Sequence, residues 1–213
     1  MKIPIATLVA AMALGLAGVA EAQQPGPETT VIRIGLLRAY EPVLALSALD
    51  IPPETIGIAG AELGIADNDT TGAFMGQDFE LTVSTLKPGE DIGPAMQAFA
   101  DAGVHFIVTD LPAADTLKAA DLARVAGSSV LNAGATDDSL REENCRSNML
   151  HTAPTRSMLT DALAQYLMWK QWRNWVLIAG EHENDRLFAD AMRASARKFG
   201  GDILEERTFE DAG

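Results

Sequence analysis

Gly103-Val104-His105-Phe106-Ile107-Val108-Thr109-Asp110-Leu111-Pro112-Ala113-Ala114 is the stretch that decides how this chain folds. Val104 to Thr109 is a short apolar run rich in β-branched residues, the pattern of a strand buried on both faces of a parallel sheet. Gly103 suits the left-handed stop of a helix, so Pro94 to Ala102 is predicted helical. Asp110-Leu111-Pro112 forms a loop, and Ala113 to Ala126 reads as the next helix.

The same alternation continues in both directions. Val31 to Leu37 (VIRIGLL) and Phe79 to Leu86 are predicted strands, with a helix over Ile56–Ala66 between them. Gly57, Gly60 and Gly64 lower that helix's propensity but allow close packing on a sheet. Ser129 to Asn132 is a fourth strand and Met149 to Thr152 a fifth. After Pro154 the pattern restarts. Leu159, Ala162, Leu163, Tyr166 and Leu167 fall on one face of a predicted helix. Trp175 to Ala179 is a strand. Asn184 or Asp185 can cap a helix running to Phe199 and stopped by Gly200-Gly201, and Ile203 to Phe209 is a last strand. Strands and helices in this order with short connections imply an α/β fold: a Rossmann-like parallel sheet flanked by helices.

Residues after Pro154 supply only two helices and two strands. So small a sheet leaves an apolar edge and face uncovered. The expectation is an N-terminal α/β lobe over residues 31–155 and a second lobe, residues 156–213, that is incomplete in this chain. A single complete domain with a C-terminal appendage is the alternative.

The first residues read as an address. Lys2 precedes a run without charge from Ile3 to Ala20, and Ala20-Glu21-Ala22 fits a cleavage site, so residues 1–22 are a predicted signal peptide. The run reaches only the lower edge of membrane-spanning length, contains Pro4 and is rich in Ala and Gly, which argues against an anchor. Residues 23–30 (QQPGPETT) read as a short flexible leader. An exported protein that is not embedded in the membrane follows.

Composition narrows the chemistry. The chain has 213 residues, 47% hydrophobic and 22% charged, and 16 basic against 30 acidic side chains leave a net charge of −14. That balance argues against a nucleic-acid partner, because phosphate binding needs a basic face. The one cysteine, Cys145, excludes an internal disulfide framework and a Cys-cluster metal site. Asp67, Asp69, Thr71, Gly72 and Asp78 match a calcium loop poorly, since the last position should be Glu. The structural reading is a helix end followed by a Gly-rich turn into the second strand, and no metal is expected.

No Gly-x-Gly-x-x-Gly follows the first strand, and no phosphate loop or Gly-x-Ser-x-Gly elbow occurs. His105 lies inside a predicted strand and His151 in another. Only His182, after a strand's C-terminal end, stands where open α/β sheets bind ligands. None has a nucleophile or acid at a diagnostic spacing, so the reading is not an enzyme. Trp169, Trp172 and Trp175 read as helix-to-sheet packing with indole N–H groups facing solvent. The strand ends carry more information. Arg38 and Tyr40 follow strand one, Asp110, Leu111 and Pro112 strand three, and Asn132, Ala133, Gly134, Ala135 and Thr136 strand four. These converge on one rim of the sheet and, with His182, are the predicted ligand-binding residues. They offer hydrogen bonds and one positive charge.

The order of these elements, with Asn132-Ala133-Gly134-Ala135-Thr136-Asp137-Asp138-Ser139-Leu140, resembles the type I periplasmic binding proteins of the branched-chain amino-acid class. More narrowly, Gly64–Gly72 (GIADNDTTG), Asp110-Leu111-Pro112, Cys145-Arg146, Leu150–Pro154 (LHTAP) and Leu163–Leu167 (LAQYL) resemble one subfamily. It comprises the ABC-transporter substrate-binding proteins associated with pyrroloquinoline quinone-dependent alcohol dehydrogenase systems. The resemblance spans residues 31–210. It implies two lobes joined by crossovers, the first near Thr152 to Arg156, with a small molecule bound between them. It also implies a partner, either an ABC permease or the quinoprotein alcohol dehydrogenase system. No cofactor is required, and pyrroloquinoline quinone is a candidate ligand, with Arg38 as the first anion donor. A branched-chain amino-acid-type binder, or a sensor or accessory without a transport role, is the alternative. The loop Asp110-Leu111-Pro112 departs from the Ser/Thr-rich loop of amino-acid binders.

Overall fold

The computed structural model describes residues 29–40 and 53–209; the predicted signal peptide and most of the predicted leader lie outside them. Five strands form one parallel sheet: β1 (Thr30–Ala39), β2 (Gln77–Leu86), β3 (Phe106–Asp110), β4 (Ser129–Asn132) and β5 (Met149–His151), in the order β2-β1-β3-β4-β5. Thr30, assigned above to the leader, already belongs to β1. Helices α1 (Ile58–Met75), α2 (Gly93–Asp101) and α3 (Ala113–Val125) connect the first four strands. The strand order reverses between β1 and β3, which makes the C-terminal ends of these two strands the natural ligand edge.

The core of this unit is apolar and dense. Leu37, Phe99, Ile107, Val130 and Leu140 are all buried. They come from β1, α2, β3, β4 and a 3-10 turn at Asp138–Arg141. The small residues Ala119, Ala120 and Ala123 bring α3 close to the sheet.

Two local expectations are corrected here. Helix α1 does not end near Ala66 in a Gly-rich turn; it runs through Asp67–Gly72 to Met75 and stops at Gly76, whose φ of 67° is left-handed. The polar residues stay helical because their side chains bond back one turn: Asn68 Nδ2 donates to Gly64 O and Thr70 Oγ1 to Ala66 O. His105 precedes β3 instead of lying within it, and is exposed.

The second unit holds α4 (Arg156–Trp169), β6 (Asn174–Ala179), α5 (Glu183–Phe199) and β7 (Asp202–Thr208), with β6 and β7 paired in parallel. Ala164, Trp175 and Ala196 are its buried centre. Helix α4 is turned relative to expectation. It buries Arg156, Thr160 and Ala164, whereas of the predicted face Leu159, Ala162, Leu163 and Tyr166 face outward and only Leu167 packs against the core. The reason is polar: Ser195 of α5 sits 2.9 Å from Thr160 Oγ1 and 2.6 Å from Asp161 Oδ1, and Lys198 pairs with Asp161. Satisfying buried hydroxyls outweighs burying the wider apolar stripe. Of the three tryptophans only Trp175 packs inside, and its indole N–H donates to Trp172 O at 2.6 Å instead of facing solvent. The N-cap position of α5 is His182, neither Asn184 nor Asp185.

Candidate ligand cavity

A cavity of about 970 Å³ opens between the C-terminal rim of the five-stranded sheet and the first turns of α5. Strand β1 supplies Arg38 and, just beyond it, Tyr40. The end of β3 and its loop supply Asp110, Leu111 and Pro112. The β4 loop supplies Gly134, Ala135 and Thr136. These sequence-predicted residues therefore share one wall. Asn132, Ala133 and His182 do not line it. Ala133 is exposed, and its N–H donates to Thr109 O in continuation of the sheet. His182 sits one residue before Glu183 and Asn184, which do line the cavity.

Asn132 lies beneath the wall and shapes it. Its Oδ1 accepts from Ala135 N at 2.9 Å and its Nδ2 donates to Ala135 O at 2.7 Å. The same Nδ2 lies 3.1 Å from His151 Nδ1. An amide nitrogen only donates, so the imidazole accepts there and carries its proton on the other nitrogen. Burial, and then the Arg141 guanidinium, hold the His151 pKa below its ordinary value of 6.5. Within the loop so held, Gly134 permits a close approach: a Cβ there would stand 3.0 Å from Asp110 Cα and 3.1 Å from Leu111 N.

Two arginines border the cavity in different states. Arg156, which sequence reasoning did not single out, is engaged through all three of its nitrogens. Its Nη1 meets Asp137 Oδ1 at 2.9 Å, its Nε and Nη2 donate to Asn184 Oδ1, and its guanidinium lies 5.5 Å from the Phe188 ring centre. It joins the β4 loop to α5. Arg38 is 3% exposed, donates from Nη1 to Glu54 O at 2.7 Å, and leaves Nε without a partner. The Arg38 guanidinium lies 5.9 Å from the Tyr40 ring centre. Asn184, Leu187 and Phe188 close the far side. No periodicity signal marks them, because a helix's first turn becomes a wall only when another unit is placed opposite. The arrangement leaves space the size of a small molecule between two units, and among the described lining residues no nucleophile–base pair is present.

A family model described as periplasmic binding protein matches residues 54–212. No curated protein matches the sequence. Among solved structures, an ABC transporter substrate-binding protein from Desulfitobacterium hafniense is 20% identical with a TM-score of 0.63, over 86% of this chain and 52% of that one. A branched-chain amino acid transporter substrate-binding protein from Streptococcus pneumoniae, in complex with isoleucine, is 18% identical with a TM-score of 0.58, over 86% and 51%. A solute-binding protein of an ABC transporter from Rhodopseudomonas palustris, in complex with 3,4-dihydroxybenzoic acid, is 14% identical with a TM-score of 0.59, over 84% and 47%. The chain spans about half the length of these structures, and at such identities the likeness concerns the fold.

Proposed function

The chain belongs to the periplasmic binding protein family, and from that premise we propose that it captures a small organic ligand in the cavity between the sheet rim and α5 and presents it to an ABC permease. The carrying observation is the composition of the cavity wall. Loops from β1, β3 and β4 stand on one side and the start of α5 on the other, with Arg156 joined to both. A ligand touching both sides favours the closed arrangement by its added contacts, which is how binding becomes a signal to a membrane partner. The solved structures it resembles are substrate-binding proteins, not enzymes.

The predicted signal peptide and the family together support a place in the periplasm. The finer reading carried by the sequence resemblance makes pyrroloquinoline quinone the first compound to titrate, and quinoprotein alcohol oxidation the first process to examine. Leucine, isoleucine and 3,4-dihydroxybenzoate follow, because related folds hold amino acids and an aromatic acid. Calorimetry of the purified protein against these four compounds should find one that binds saturably and is recovered unchanged. Chemical conversion of a bound compound would overturn the reading, as would the absence of binding to any of them. A ligand bound tightly but not taken up by cells would favour the sensor alternative.

A further inference from the structure

We propose that Asn132 and His151 are positioning residues for the ligand cavity, and that the proton state of His151 sets how tightly the cavity holds its ligand; this rests on the binding reading above and adds its regulation. The first observation is a shared amide. Asn132 is 1% exposed, and both ends of its side chain are committed. Oδ1 accepts from Ala135 N, while Nδ2 donates to Ala135 O and to His151 Nδ1. Ala135 stands in the cavity wall between Gly134 and Thr136. A neutral imidazole with a bare Nδ1 matches this orientation of the amide. A proton on Nδ1 reverses the match, because two donors then face each other. Turning the amide over to accept from His151 would set oxygen against Ala135 O and hydrogens against Ala135 N–H. The Ala135 clamp and a protonated Nδ1 therefore compete for one amide, which makes the pair bistable.

The second observation is where Asn132 sits on the chain path. Its backbone O accepts from Thr152 N at 2.9 Å, Ala153 N at 3.3 Å and Thr152 Oγ1 at 3.1 Å. Those residues lead to Arg156, whose N donates to Thr136 O and whose guanidinium holds Asp137 and Asn184. One hydrogen-bonded patch thus joins His151, the cavity wall and the second unit. Loosening Ala135 weakens the wall and the crossover together.

The surrounding charges set the pH range. Burial, and then Arg141 of the 3-10 turn, disfavour the imidazolium, while a hydrogen bond to the Leu140 backbone favours it. Asp138 of the same turn is bonded to Ser157, Asp137 of the β4 loop to Arg156, and Asp121 of α3 to Arg146. Glu142 and Glu143, which follow the turn, are exposed. Strands β4 and β5 carry no ionisable side chain besides His151. The neutral form therefore holds near neutrality and gives way below the ordinary imidazole value of 6.5.

The probes are pyrroloquinoline quinone, leucine, isoleucine and 3,4-dihydroxybenzoate, titrated calorimetrically from about pH 7.5 to about pH 5.5, the range in which histidine changes charge. At least one should bind, and its Kd should rise about threefold or more toward the acid end, since ligand binds the neutral form better. His151→Gln offers Asn132 Nδ2 an uncharged acceptor, so it should keep the neutral-pH Kd and lose the pH dependence. Imidazole 15N shifts should show Nδ1 unprotonated at neutrality. Saturating ligand should lower the His151 pKa further, because the coupling is reciprocal. A histidine with a merely structural role would change the melting temperature of His151→Gln and leave that pKa unmoved by ligand. A Kd equal at both ends of the range, a pH dependence that survives in His151→Gln, or a His151 pKa indifferent to ligand overturns the inference and leaves the binding-protein reading standing. A surviving dependence would place the proton elsewhere, His182 beside the cavity included. A protein that binds none of the probes overturns both.

Discussion

Arg156 and Asn184, 28 residues apart in sequence, are joined by two hydrogen bonds of 3.1 and 2.7 Å to one amide oxygen. Arg156 opens α4 and Asn184 lies in the first turn of α5. The same guanidinium pairs with Asp137 of the β4 loop, and Arg156 N donates to Thr136 O at 2.8 Å. One side chain therefore sets how the sheet rim faces the second unit.

Arg156→Met should lower unfolding stability by about 2–3 kcal/mol, because several charge-assisted hydrogen bonds vanish and Asp137 loses its cation. Urea unfolding measures this. A double-mutant cycle with Asn184→Ala should return a coupling of about 1 kcal/mol or more. Additive losses would show that the two residues act separately.

Gly134→Ala should cost about 1–3 kcal/mol, since the new Cβ meets backbone atoms of Asp110 and Leu111 that cannot rotate away. The shift should also move the cavity wall. The measurement is denaturant unfolding beside ligand titration, and a neutral result would mean that the β3 and β4 loops separate freely.

Acidification should destabilise the protein as pH falls below 6.5, the ordinary value from which the His151 pKa is lowered. In that window the unfolded chain binds a proton that the folded chain resists, so stability is present above it and is lost on descent. Protonation also turns His151 Nδ1 into a donor facing the Asn132 amide donor. His151→Gln should flatten the profile between neutrality and mild acid. Asp91, Asp121 and Asp161 have pKa values held below 3.8 by hydrogen bonds from Lys118, Arg146 and Lys198, respectively. Their stabilisation disappears only in stronger acid. A pH-stability curve recorded on both proteins separates the two regions.

Leu163→Gln should change stability by no more than about 0.5 kcal/mol, because Leu163 faces outward on α4. Its neighbour Ala164 is fully buried against Ala196 of α5 and Trp175, and Ala164→Leu should cost about 1–3 kcal/mol through overpacking. Thermal melts of the pair test the helix orientation directly, and the reverse ranking would refute it.

The number, order and type of the described strands and α-helices were readable from residue pattern alone, whereas the 3-10 turn at Asp138–Arg141 was not. Runs such as Val104–Thr109 and Ser129–Asn132 are strands by local composition, and Gly103 and Gly200 stop helices by backbone freedom, with φ of 70° and 79°. The rim where Arg38, Asp110 and Gly134 meet was also readable, because strand ends in a parallel sheet share one edge. What the pattern missed depended on partners distant in sequence. The apolar stripe of α4 suggested the wrong buried face, because Ser195 and Lys198, supplied by another helix, decided it. Arg156 looked like a crossover residue and Asn184 like a cap. Only the placement of α5 against the β4 loop made them one connection across the cavity, since a hydrogen bond between remote residues has no local signature.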